Sequence, residues 1–227
     1  IATIRHIRAD AETPAEIGAL FDGIAYGKTA AVLRMIESYV GSEPFRAGVN
    51  RYLSRHAYGN ATAEDFWNAE TAATRKPIDK IMATFVNQSG APLIDIRTQC
   101  TAGRTDVTLS QQRFFADRSR LEAGSPELWQ VPVCLKTPGS RSAACELLTE
   151  KKKTFQINGC APWVFANATG RGYYRVSYES EAIRNIAAAA EHKRFRRCAV
   201  GHAGVGLLNN FRCNNRHQHR PLPSKPH

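Results

Sequence analysis

The hydrophobic period of this chain changes once, at Gly90-Ala91-Pro92, and that change decides its fold class. Before it, apolar residues recur at helical spacing: Val32, Leu33, Ile36, Tyr39 and Val40, then Phe45, Val49, Tyr52 and Leu53, then Ile78, Ile81, Met82 and Phe85. After it they alternate, as in Ile94 and Ile96, Val107 and Leu109, and Val131 and Val133. Helices first and strands second make an α+β chain.

Local signals mark the elements. Thr13-Pro14-Ala15-Glu16 is a capping box with proline at the first helical position, opening a short helix to about Asp22. A second helix is expected over residues 25–40 with Gly41 as its stop, and a third capped by Ser42. Gly59-Asn60 suits left-handed backbone beyond it. Thr62-Ala63-Glu64-Asp65 starts a fourth helix, and Pro77 a fifth that ends near Gly90. Further strands are expected at residues 145–148, 154–157, 163–166 and 173–178, making seven short strands and a small β-sandwich. The expected organisation is a helical part over 1–90, a β-sandwich over 91–179 and the start of a helical domain over 180–191.

Charge is unevenly spread. Of the net +11, residues 192–227 supply eight Lys or Arg and no Asp or Glu, which leaves about +3 (11 − 8) for the rest. That segment reads as a disordered basic tail, and its Arg/His/Asn/Pro bias suggests a sequence read out of its proper frame. Arginines without interleaved aromatics bind polyanions weakly, so no specific nucleic-acid partner is expected. Cys198-x3-His202 and Cys213-x3-His217 lack the common zinc-finger spacing. No apolar run reaches the roughly 18–20 residues of a membrane span, and IATIRHIRAD has no signal-peptide core.

Single residues carry little chemistry. There is no HExxH, GxSxG, phosphate loop or CxxC. His56 reads as a packing or capping histidine, Glu64 and Asp65 as first-turn acids, and Lys151-Lys152-Lys153 as a solvated turn. Trp67, Trp129 and Trp163 read as core or interface aromatics. Four cysteines fall among the strands. Cys134 and Cys145 flank a turn near Gly139, so a hairpin would set them opposite one another; Cys100 and Cys160 form the remaining pair. Two bridges would favour a periplasmic or extracellular setting, against the alternative of four buried thiols in a cytosolic enzyme.

The decisive string runs Phe21-Asp22-Gly23-Ile24-Ala25-Tyr26-Gly27-Lys28-Thr29-Ala30-Ala31-Val32-Leu33-Arg34-Met35. It resembles the FD-x-I-S-Y-x-K-G-A-x-V-L-R-M segment of gluzincin-type zinc aminopeptidases related to alanyl and puromycin-sensitive aminopeptidases. The resemblance continues in order through Phe45-Arg46-Ala47-Gly48, residues 56–62, Asp65-Phe66-Trp67, Phe85-Val86-Asn87-Gln88-Ser89-Gly90-Ala91-Pro92, Gln112-Arg113-Phe114-Phe115 and Gly172-Tyr173-Tyr174-Arg175-Val176. This chain departs from the pattern at Ala25, where the family has Ser, and at Thr29, where it has Gly.

The resemblance implies the helical C-terminal part of a thermolysin-like catalytic domain followed by the β-sandwich. It implies a zinc-dependent enzyme that removes N-terminal residues from peptides, with the zinc ligands ahead of residue 1 and none bound by this piece. Tyr26 is the catalytic residue that carries over. A phenol is protonated at neutral pH and can donate to the oxyanion of a tetrahedral intermediate. The alternative is a non-catalytic remnant serving as a fold or interaction module.

Overall fold

The computed structural model describes residues 5–190 and three two-residue strands beyond them. Helices come first: α1 (Pro14–Ala19), a π-helical turn (Ile24–Lys28), α2 (Thr29–Val40), α3 (Ser42–Arg55), α4 (Ala63–Thr74) and α5 (Ile78–Val86). The expected capping box at α1 forms, and a second one opens α4. Thr13 accepts from Glu16 N–H and Thr62 from Asp65 N–H, while each carboxylate returns to the cap's own N–H.

Three local expectations are corrected. The single helix over 25–40 divides, with its first turn wound as a π-helix. Gly41, not Ser42, caps α3, at φ 94° and ψ 152°, backbone that glycine adopts without steric cost. Past α3, Tyr58 takes the left-handed turn (φ 58°) and Gly59 does not. A short helix that apolar period could not reveal, α6 (Arg118–Ala123), starts where Asp117 accepts from Ser119 N–H.

The strands are β1 (Pro92–Thr101), β2 (Arg104–Arg113), β3 (Val131–Lys136), β4 (Ala144–Leu148), β5 (Lys152–Asn158), β6 (Phe165–Ala166) and β7 (Arg175–Tyr178), followed by α7 (Ser180–Ala189). The short strands β8 (Cys198–Ala199), β9 (Leu207–Leu208) and β10 (Arg212–Cys213) follow. One sheet runs β5-β2-β1-β7-β9, another β4-β3-β6, and β8 pairs with β10. β1 and β7 run parallel, Leu93 opposite Arg175 and Ile96 opposite Tyr178; the β1–β2 and β2–β5 pairs are antiparallel. Beyond these strand pairs, the expectation for 192–227 lies outside the described residues.

Alternation puts Ile94, Ile96, Val107 and Leu109 on one buried face, where they join Val131, Val133 and Leu148 of the second sheet and Val32, Ile36, Ile81 and Phe85 of α2 and α5. Hydrogen bonds fix the end of α5 to the segment leading into β3. Gln88 donates to Leu128 O at 2.9 Å and accepts from Leu128 N–H at 3.2 Å, and Gln130 N–H donates to Thr84 Oγ1 at 3.1 Å. Lys152 and Lys153 belong to β5, where Lys153 meets Glu146 at 3.1 Å, so the lysine run is not a free turn.

Candidate functional site

Tyr26 lies in the π-helical turn, 63% exposed, with the Phe21 ring centroid 6.2 Å away. The turn is built around Asp22. Its Oδ1 accepts from the N–H groups of Ile24 at 2.8 Å and Ala25 at 2.9 Å, and its carbonyl accepts from Tyr26 N–H at 3.2 Å. The Ile24 and Ala25 N–H groups open the turn without a carbonyl one turn back, and a short carboxylate is the side chain suited to collecting them. Arg5 grips the same carboxylate twice, Nη2 to Oδ1 at 2.8 Å and Nε to Oδ2 at 3.2 Å, and also donates to Leu20 O at 2.9 Å. The Ala25 N–H bond first, and the Ile24 and Arg5 bonds with it, hold the Asp22 carboxyl below its ordinary range.

Lys28 closes the turn from inside. Its residue is 7% exposed, and its ammonium donates to Gln88 O at 2.7 Å. Burial, with the Arg113 charge nearby, pushes its pKa down to about 8. Arg5, Gly23, Ile24, Gly27, Lys28, Gly90 and Tyr173 line a cavity of about 190 Å³ behind the turn. Tyr26 does not line it. One wall, Gly90, has φ 83°, and a Cβ there would sit 2.8 Å from Arg113 Nε.

The cysteines are brought together as two pairs. Cys134 faces Cys145 across β3 and β4 and is bonded to it, with Cα atoms 3.9 Å apart, closer than the usual 4.4–6.8 Å. Cys100 at the end of β1 is bonded to Cys160, with Cα atoms 5.3 Å apart. Neither bridge touches the Tyr26 turn. His56 ends α3 with its ring 5.5 Å from that of Tyr52. Asp65 belongs to the cap of α4, and Glu64 pairs with Arg8.

Residues 1–85 match the family profile described as "Peptidase family M1 domain". The "Tricorn protease-interacting factor F2" of Thermoplasma acidophilum is 33% identical over 180 residues, which is 79% of this chain and 21% of that protein. "Probable aminopeptidase 2" of Sulfurisphaera tokodaii is 33% identical over 183 residues, 81% of this chain and 22% of its own length. "Puromycin-sensitive aminopeptidase" of Caenorhabditis elegans is 32% identical over 181 residues, 78% and 19%. This chain belongs with the M1 aminopeptidase-like proteins. It spans about a fifth of the length of the curated relatives it matches.

As an M1 aminopeptidase-like chain it carries the tyrosine turn but, among the described residues, no group of three or more His, Cys, Asp or Glu placed to hold a metal ion. The sequence presents Asp22 and Lys28 only as members of the matching string and assigns Arg5 no role. Asp22 had a signal, an acid directly ahead of a helical run. Arg5 had none, because its partner lies 17 residues on.

Proposed function

We propose that this chain supplies the oxyanion-stabilising tyrosine of an M1-type aminopeptidase, within the helical part of a thermolysin-like catalytic domain over 1–90 and an adjoining β-sandwich over 91–179. The observation that carries the reading is Tyr26, exposed on a turn whose backbone is tied down by Asp22, inside a string that matches the family segment. An exposed phenol on a fixed backbone is a directed donor that can meet a developing oxyanion without reorganising. The substrate is a peptide with a free N-terminus, and the bond cleaved is the first. Tyr26 donates its hydroxyl proton in a hydrogen bond to the carbonyl oxygen as that oxygen gains charge. Zinc chemistry belongs to the family and is not assigned to residues of this chain. The two disulfides support an oxidising compartment for it.

The test replaces the matching segment of the C. elegans puromycin-sensitive aminopeptidase with residues 5–190 and measures hydrolysis of an aminoacyl anilide. Tyr26→Phe is expected to lower kcat by about 100-fold with KM little changed, since the lost bond forms mainly in the transition state. An unchanged kcat returns Tyr26 to a structural role and favours the non-catalytic reading. The chain alone is expected to release no anilide product, and zinc-dependent turnover above a Tyr26→Phe control would overturn that expectation.

A further inference from the structure

We infer that Asp22 and Arg5 form a positioning pair that sets the Tyr26 turn, an inference that rests on the reading of Tyr26 given above. Three bonds from one residue fix three consecutive backbone N–H groups: two to the Asp22 carboxylate (Ile24 and Ala25) and one to its carbonyl (Tyr26). Tyr26 itself has little else to hold it. It is 63% exposed, its nearest ring is the exposed Phe21, and Gly23 and Gly27 on either side have open space around them. A residue so lightly packed takes its direction from its backbone, and that backbone takes its direction from Asp22.

Arg5 completes the device. Its guanidinium is pinned by Leu20 O at 2.9 Å, His6 O at 2.9 Å and Ile7 O at 3.2 Å, leaving Nε and Nη2 aimed at the two Asp22 oxygens. The planar fork fixes the plane of the carboxylate, and so fixes where Oδ1 meets the two N–H groups. The segment holding Arg5 is anchored in turn, because Ile7 and Arg8 N–H donate to Val86 O at the end of α5. The position of Tyr26 is thereby referred to the core helix α5 through a chain of named bonds. A displacement of about 1 Å at such a donor can cost on the order of 100-fold in rate.

Two measurements test this, and they fail separately. The first uses the chain as it stands and reads amide hydrogen exchange. Asp22→Ala should speed exchange at Ile24, Ala25 and Tyr26 by ~10-fold or more while Ile81 and Ile94 stay unchanged. Asp22→Asn, which keeps an acceptor oxygen, and Arg5→Gln should fall between Asp22→Ala and the parent chain. Equal protection in Asp22→Ala and the parent overturns the inference, whatever Tyr26 does. The second uses the chimaera. Asp22→Ala should lower kcat by ~10-fold with KM little changed, and should have no further effect in a Tyr26→Phe background. An equal loss in both backgrounds means Asp22 acts on the fold rather than through Tyr26, and overturns the inference. An unchanged kcat in Tyr26→Phe itself sinks the catalytic reading and leaves the exchange result standing on its own.

Discussion

Glu70 is the residue whose surroundings most contradict its chemistry. It sits on α4 with no exposed surface, and neither carboxylate oxygen has a hydrogen-bond partner. Burial raises its pKa from 4.5 to about 7. The native state therefore holds a proton between those values that the unfolded chain has released, and stability falls as pH rises from about 4.5 through about 7. Glu70→Gln keeps the shape and removes the titration. Its urea midpoint should match the parent near pH 4.5 and exceed it at pH 8, and an equal gap at both pH values would refute the burial argument. Gly48 explains why the carboxyl fits, since a Cβ there would lie 2.5 Å from Glu70 Cδ. Such a contact is invisible in sequence. Gly48 was legible only as part of a matching string, and Glu70 as one acid on an amphipathic helix. Thr29 is similar: it stands where the family segment has Gly, and its Oγ1 is buried without a partner.

At the scale of elements, the two bridges should differ in worth because they close different lengths of chain. Cys100–Cys160 spans 60 residues and Cys134–Cys145 spans 11. Loop-closure entropy gives about 4 kcal/mol for the first and about 3 kcal/mol for the second. Paired Cys→Ser variants should therefore lower the melting temperature more at 100/160 than at 134/145, and the reverse order would mean native packing dominates. Peptide mapping without reductant checks the pairing. The 134/145 pair was readable because a hairpin with one central turn sets its strands in register. The pairing of 100 with 160 could be read only as the remainder. Strand identity was readable throughout, by alternation for β1 to β3 and by short runs between turn residues for β4 to β7. The division of 25–40 into a π-turn and α2 was not, because side-chain period cannot report a backbone bond taken over by Asp22.

For the whole molecule, the crossing from helices to strands is the vulnerable point. Gly90 holds φ 83° beside Arg113, whose guanidinium pairs with Glu127 at 2.7 Å. Gly90→Ala adds backbone strain of about 1–2 kcal/mol and pushes on that guanidinium, so it should lower the melting temperature by several degrees. A melting temperature equal to the parent's would show that the turn relaxes freely. The parallel register of β1 with β7 has a consequence for manufacture of the chain. Leu93 must wait for Arg175 before its second edge is covered. On a ribosome that interval is long, and until it ends the buried stretch of β1, Leu93 to Ile96, displays bare amides and carbonyls along one edge. Nascent polypeptides stalled short of Arg175 are expected to stick to one another or to a chaperone, whereas those released beyond Tyr178 are expected to stay dispersed.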